Sequence, residues 1–245
     1  MHSILNKIAH RLTHWRLRPI RVFCFHQTSE QFDADVYCRP DWVPTSYLKQ
    51  FIEGLQQEGY EFISLAEAYR HIQKDIIRRK KYAVLTADDG LKCQLEILPW
   101  LEDNHIPLTM FLNVETLSGD KCGEQIRKYF NITTAEQERN HAVLYVDEKQ
   151  IRSTKSSLLS FGYHGYDHRS AIVMSEEEFK SNVEKCKKGI NAIVSAIPFY
   201  AYTYGDHYGL ADGMLREAAL IPVYMDGQKN YNDASCIHRE LIDKV

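Results

Sequence analysis

The chain reads as a single α/β domain with a mainly parallel sheet, and three observations predict this. Short apolar runs of strand length alternate with stretches at helical spacing along most of the 245 residues. No Pro/Gly/Ser-rich linker or shift in composition divides them. A hydrophobic fraction of 44% and a charged fraction of 26% suit one soluble core, with nothing in the composition that points to disorder.

The first strand is expected at Arg21–His26, followed by a polar loop with Asp33, Asp35, Arg39 and Asp41. Thr45 or Ser46 is placed to cap a helix whose apolar face is Tyr47, Leu48, Phe51, Ile52 and Leu55, ending near Gly59. Glu61–Ile63 reads as a brief strand, and Ser64-Leu-Ala-Glu67 fits a capping box opening a helix through Ile72. The basic run Arg78-Arg-Lys-Lys81 reads as a solvated loop before a strand at Tyr82–Thr86. After Gly90 one helix is expected through Leu101, with Pro99 near its end, then a strand at Leu108–Leu112. Residues 114–150 carry the least pattern and read as an insertion of loops and short helices. A strand at Leu158–Phe161 follows, then a helix capped by Ser175 with Phe179, Val183, Cys186 and Ile190 on one face. A strand at Phe199–Tyr202, a helix at Leu210–Ala218 and a strand at Ile221–Tyr224 complete the alternation, and residues 226–245 have no assigned element.

The formal net charge of −3 gives no overall pull toward nucleic acid or anionic lipid. Its distribution is uneven, because Lys7, Arg11, Arg16, Arg18 and Arg21 all precede the first acidic residue, Glu30. Ile4, Ile8, Leu12 and Trp15 recur at helical spacing, so residues 1–20 form a basic amphipathic segment, with a helix expected over 3–16 and the domain proper over 21–245. Such a helix either packs on the domain or contacts a membrane surface. No run is long and apolar enough for a transmembrane span or a secretory signal, so the expected location is cytoplasmic, with peripheral contact at the inner membrane face as an option. The six cysteines include no Cys-x-x-Cys pair and read as reduced thiols.

Two short clusters carry the chemistry. Asp88-Asp89-Gly90 follows the apolar run from Tyr82, and His164-Gly-Tyr-Asp-His168 follows Leu158–Phe161. Taken singly, the first is a common turn signal and the second reads equally as a solvated helix face or a loop pair. Both fall at the end of an expected strand, where α/β sheets and barrels place their sites. A carboxylate with two imidazoles is a ligand set that holds a divalent metal and leaves a position for water, with Asp88 as a further carboxylate alongside.

These residues resemble a known family. Thr86-Ala-Asp-Asp-Gly90 is similar to the Thr-Phe-Asp-Asp-Gly signature of the polysaccharide deacetylases, the NodB-homology group of carbohydrate esterase family 4. His164-x-x-x-His168 resembles their second motif and Tyr200-Ala-Tyr-Thr-Tyr-Gly205 their third; Gly59-Tyr60 and Ile63-Ser64-Leu65 are also typical, and the likeness spans residues 21–225. The resemblance implies a distorted (β/α) barrel of about seven mainly parallel strands that removes an N-acetyl group from an amino sugar. It implies Asp89, His164 and His168 as ligands to a divalent metal, zinc by preference and cobalt, nickel or manganese otherwise, with Asp88 as general base. In the branch of the poly-N-acetylglucosamine deacetylases the motifs are permuted and a first-strand histidine is the general acid, a position that His26 matches. The same pattern implies the amide of Tyr204 as oxyanion donor, with Tyr202 beside it at the sugar site. The expected substrate is a polysaccharide, oligosaccharide or glycolipid precursor.

The sequence also departs from that pattern. Ala87 replaces the aromatic residue of the first motif and Thr203 the proline of the third. The arginine that orients the base in many relatives is absent from Pro198–Gly205, and Arg239 is a candidate to replace it. Asp167, Asp206, His207 and His238 are further polar residues near the motifs, and either histidine can stand in for His26. The missing arginine also motivates a rival reading, a sugar-binding or scaffold protein without catalysis. A third reading keeps the fold and hydrolyses another non-peptide C–N bond.

Overall fold

In the computed structural model, which describes residues 18–32, 41–74, 77–232 and 235–243, the strand–helix alternation closes into a barrel. The basic segment expected over residues 3–16 lies outside the described residues, as do Asp33, Asp35, Arg39 and Cys38. In chain order the elements are β1 (Ile20–Phe25), β2 (Gln27–Ser29), β3 (Trp42–Pro44), α1 (Thr45–Gln57), β4 (Tyr60–Phe62), α2 (Leu65–Lys74) and β5 (Lys81–Ala87). Then come α3 (Lys92–Glu96), α4 (Leu98–Asp103), β6 (Leu108–Leu112), α5 (Glu124–Tyr129), α6 (Ala135–Ala142), α7 (Glu148–Ser153) and β7 (Leu159–Tyr163). The last are α8 (Glu176–Asn191), β8 (Phe199–Ala201), α9 (Gly209–Glu217), β9 (Ile221–Met225) and β10 (Ile237–Leu241).

Seven strands form the ring β1-β5-β6-β7-β8-β9-β10, and β10 returns to β1 with every pairing parallel. β4 pairs with the first residues of β5 on the same edge that β6 takes over from Leu85. Register is fixed by period-2 side-chain alternation: one set of residues fills the barrel and the other meets the helices. Val22, Val84, Phe111, Phe199, Val223 and Ile237 form the inner set. Leu65, Ala68 and Ile72 of α2 join that cluster, and the Tyr69 ring meets Phe199 edge-on with centroids 5.4 Å apart, a favourable aromatic spacing. Helix α2 thus closes the end where the strands begin, leaving the other end for a site. Gly162 sits beside Phe111 in the β6–β7 ladder, where a Cβ would lie 2.5 Å from the Phe111 ring. Outside the barrel, Phe23, Leu85, Met110 and Phe161 pack under Leu48 and Ile52 of α1 and Phe179, Val183 and Cys186 of α8. Each such side chain contributes about 1.5–3 kcal/mol on burial.

Several local expectations hold and several change. The Ser175 capping box is complete, and Ser64 accepts the Glu67 amide as expected. Helix α1 instead begins at Thr45, so the N-cap position falls on Pro44, which has no side-chain acceptor, and the Thr45 hydroxyl bonds to that of Thr28. The single helix expected over residues 91–101 is two, α3 and α4, since Pro99 falls in the first turn of the second and cannot continue the first. The basic run is not all solvated. Arg78 is 2% exposed and donates to the backbone carbonyls of Arg18, His71 and Tyr231, directed hydrogen bonds that offset part of the cost of burying a guanidinium. The strand that closes the ring, β10, lies in the stretch without an assigned element. The described cysteines Cys24, Cys93, Cys122, Cys186 and Cys236 are buried free thiols. Among the described residues no helix is long and apolar enough to cross a membrane.

Candidate active site

The C-terminal ends of the parallel strands converge on a cavity of about 290 Å³, lined by His26, Asp88, Asp89, His164, His168, Tyr202 and Tyr204. His26 is the first residue after β1, and Asp88 and Asp89 are the first two after β5. The Asp88 amide still bonds to the Phe25 carbonyl, so both carboxylates leave the sheet at its last rung. Asp89 and Gly90 then turn through left-handed backbone, at φ 71° and 68°. A Cβ at Gly90 would come within 2.9 Å of Leu112 Cδ2, so glycine is required there for space as well as for conformation.

Asp89 is the hub of three ligand-type side chains whose donor atoms lie within 4.8 Å of one another. His168 Nε2 is 2.9 Å and His164 Nε2 is 3.3 Å from Asp89 Oδ1. His164 Nδ1 donates to the Ala201 carbonyl at 2.9 Å, which fixes the ring and aims Nε2 at the carboxylate. His168, itself left-handed at φ 59°, has Nδ1 3.2 Å from the Tyr204 hydroxyl. Burial pushes the Asp89 carboxyl up, but His168 and His164 outweigh it and hold the group well below the usual range. Burial likewise lowers His164, and Asp88 and Asp89 reverse that to a net rise. One carboxylate oxygen and two imidazole nitrogens, oriented and facing a cavity in a field of negative charge, fit a divalent cation with open coordination positions.

Asp88 is held differently. Arg239 grips it with two parallel hydrogen bonds, NH1 to Oδ1 at 2.6 Å and NH2 to Oδ2 at 2.8 Å, and the guanidinium is wholly buried. Burial pushes the Asp88 carboxyl up, but the guanidinium, with His164 and His26 behind it, brings it below the ordinary value. The arginine absent from the third motif is thus supplied by β10. His26 Nε2 lies 3.9 Å from Asp88 Oδ2. Cys24, His26 and Asp88 also bring donor atoms together, yet Arg239 already lies against Cys24 Sγ at 3.3 Å, so a positive charge is in place and a metal does not fit.

The remaining candidates separate cleanly. Tyr204 is half-exposed and left-handed at φ 59°. Tyr202 is 1% exposed and donates its hydroxyl to Asp212, so it contributes a wall and no free polar group. His207 stacks on Tyr224 and His238 bonds to Asp226, and neither lines the cavity. Asp206 accepts from Ser170, and Asp167 pairs with Arg169. Residues 114–150 supply Ile126, Tyr129, Phe130 and Tyr145 as an apolar wall. Gln94 of α3, fully buried, donates to the carbonyls of His26 and Asp88. The aromatic residues had no periodic signal to mark them, and a lone glutamine in a helix carries none.

The family model for polysaccharide deacetylase matches residues 75–220. No curated protein matches the sequence. Among solved structures, IcaB from Ammonifex degensii superposes with a TM-score of 0.72 at 19% identity, covering 93% of each chain. A de-N-acetylase from Aggregatibacter actinomycetemcomitans gives 0.72 at 18%, covering 91% of this chain and 95% of that one. A polysaccharide deacetylase from Bacillus cereus gives 0.70 at 12%, and this chain spans 66% of its length. These likenesses are of fold. The family match covers most of the chain and includes both the strand-end carboxylates and the two histidines: this protein belongs to the polysaccharide deacetylase family.

Proposed function

We propose that the protein is a metal-dependent de-N-acetylase of the poly-N-acetylglucosamine deacetylase type, releasing acetate from an N-acetylated amino sugar in a polysaccharide, oligosaccharide or glycolipid precursor. One observation carries the reading: a three-residue ligand set and a separate, guanidinium-held carboxylate open onto one cavity. Asp89, His164 and His168 would hold the cation. When bound, a divalent ion, zinc by expectation, supplies Lewis-acid charge to the amide oxygen and makes water easier to deprotonate.

The chain's own residues divide the proton transfers. Asp88, kept ionised by Arg239, takes the proton from water as it attacks the acetyl carbon. His26, on the same side of the cavity, gives a proton to the departing amine nitrogen, so that acetate and a free amine result. The Tyr204 amide, presented by its left-handed turn, donates to the oxygen that gains charge in the tetrahedral state. Arg239 also removes the motive for the catalytically silent reading, since the base has its orienting partner.

The test pairs metal analysis with acetate release from β-1,4- and β-1,6-linked N-acetylglucosamine oligomers. The purified protein is expected to carry close to one divalent ion per chain and to release acetate. Asp89→Ala is expected to lose both. Undiminished acetate release by that variant overturns the ligand assignment, and an inert wild-type protein overturns the activity.

A further inference from the structure

We propose that Gln94 is a positioning residue that sets the spacing between Asp88 and His26 by bridging the backbones that carry them. The inference rests on the proton-transfer roles given above, and it concerns a residue in none of the three motifs. The β1–β5 ladder ends at the bond from the Asp88 amide to the Phe25 carbonyl. Beyond it the two chains lose their mutual backbone bonds, and His26 and Asp88 are the residues at that fork.

Gln94 spans the fork. Its Nε2 donates to the His26 carbonyl at 3.0 Å and to the Asp88 carbonyl at 2.5 Å, one bond for each amide hydrogen. Its Oε1 accepts the Leu91 amide at 3.2 Å, which ties the bridge to the start of α3. The side chain is 0% exposed, so water does not substitute for these bonds. Both bridged groups are backbone, leaving the Asp88 carboxylate for Arg239 and the His26 ring for the cavity. The 3.9 Å between His26 Nε2 and Asp88 Oδ2 is therefore held from behind by Gln94 and from the side by Arg239. A shift of about 1 Å in such a pair costs on the order of a hundredfold in rate.

The test uses Gln94→Met, which keeps the volume and removes the donors, and Gln94→Glu, which keeps the acceptor for Leu91 and turns a carboxylate toward two carbonyls. In both variants kcat is expected to fall about 10–100-fold with KM within roughly twofold and metal content unchanged. In a His26→Ala background the same change is expected to cost little more, because residues acting as a unit are not additive. A readout independent of turnover is the imidazole ¹⁵N–¹H spectrum: the His26 signals are expected to move while those of His164 and His168 stay. Unchanged kcat and unchanged His26 signals overturn the proposal, as does a loss that comes with unfolding or metal loss, which makes Gln94 structural. Should the wild-type enzyme release no acetate, the functional reading fails, and the His26 spectrum still decides whether Gln94 sets this pair.

Discussion

The ligand-bearing strand ends and the parts that hold them contrast in how they are built. Asp88-Asp89 and His164…His168 are local: each pair is set by one strand and the turn after it. The groups that hold them come from elsewhere, Arg239 from the last strand 151 residues beyond Asp88 and Gln94 from a five-residue helix. The polar groups are tied by hydrogen bonds, whereas the apolar part of the lining is drawn from α5, Phe130 after it and the turn after α6. The difference teaches that the chemistry resides in short motifs, while its geometry depends on barrel closure. Breaking the closure-dependent partner tests this most directly.

Arg239→Met is expected to have the largest effect on stability. Removing the guanidinium leaves a carboxylate 2% exposed without its counter-charge, a loss of about 3–5 kcal/mol. Thermal or denaturant unfolding measures it, and acetate release is expected to fall with it. The double variant Arg239→Met/Asp88→Leu should regain most of the stability and none of the activity, since replacing both partners of a buried pair by apolar groups is close to neutral. A single variant as stable as the wild type would show that the ion pair does not secure the closure of β10 on the site.

The same contrast explains what the sequence made legible. Strands β1, β5, β6, β7, β8 and β9 announce themselves as apolar runs between helical stretches, and the motif residues fall at their ends. β10 reads Ile-His-Arg-Glu-Leu, with three charged or polar residues in five. Arg239 faces the barrel interior to pair with Asp88, while Glu240 faces outward to pair with Arg21, so two ion pairs hide the strand's apolar alternation. Arg78 is hidden in the basic run for a related reason: it donates to the carbonyls of Arg18 and Tyr231, 60 and 153 residues away, and a buried cation with such partners looks like a solvated one in the chain. Pattern records what a residue needs on average, and a tertiary partner can reverse it.

A smaller effect lies behind the apolar wall. His141 of α6 is 7% exposed, packs on Phe130 at 4.2 Å, and lies 3.4 Å from the Tyr145 hydroxyl. Burial lowers its pKa from 6.5 to about 4. Below pH 6.5 the unfolded chain takes up a proton that the folded one refuses, so this contribution to stability is complete above 6.5 and is lost as pH falls toward 4. His141→Gln keeps a polar group and does not titrate. The drop in Tm between pH 7 and pH 5 should be smaller in this variant than in the wild type; equal drops would mean that His141 is reached by solvent in the folded protein.

The smallest expected change concerns the wall itself. Tyr129 is 54% exposed and meets Phe130 edge-on at 4.9 Å, and both line the cavity that the carboxylates and imidazoles also line. Both rings present aromatic surface to the cavity, so their expected contribution is contact area for the substrate. An aromatic ring against a sugar or an apolar aglycone contributes on the order of 1 kcal/mol, about a fivefold change in binding. Tyr129→Ala is therefore expected to raise KM several-fold, leave kcat within about twofold, and leave Tm nearly unchanged because the side chain is largely solvated. Phe130→Ala should raise KM similarly and also lower Tm, since that ring packs on His141. A fall in kcat at constant KM for Tyr129→Ala would put the wall among the parts that position the reacting groups, and the division between hydrogen-bonded polar groups and a contact wall would no longer hold.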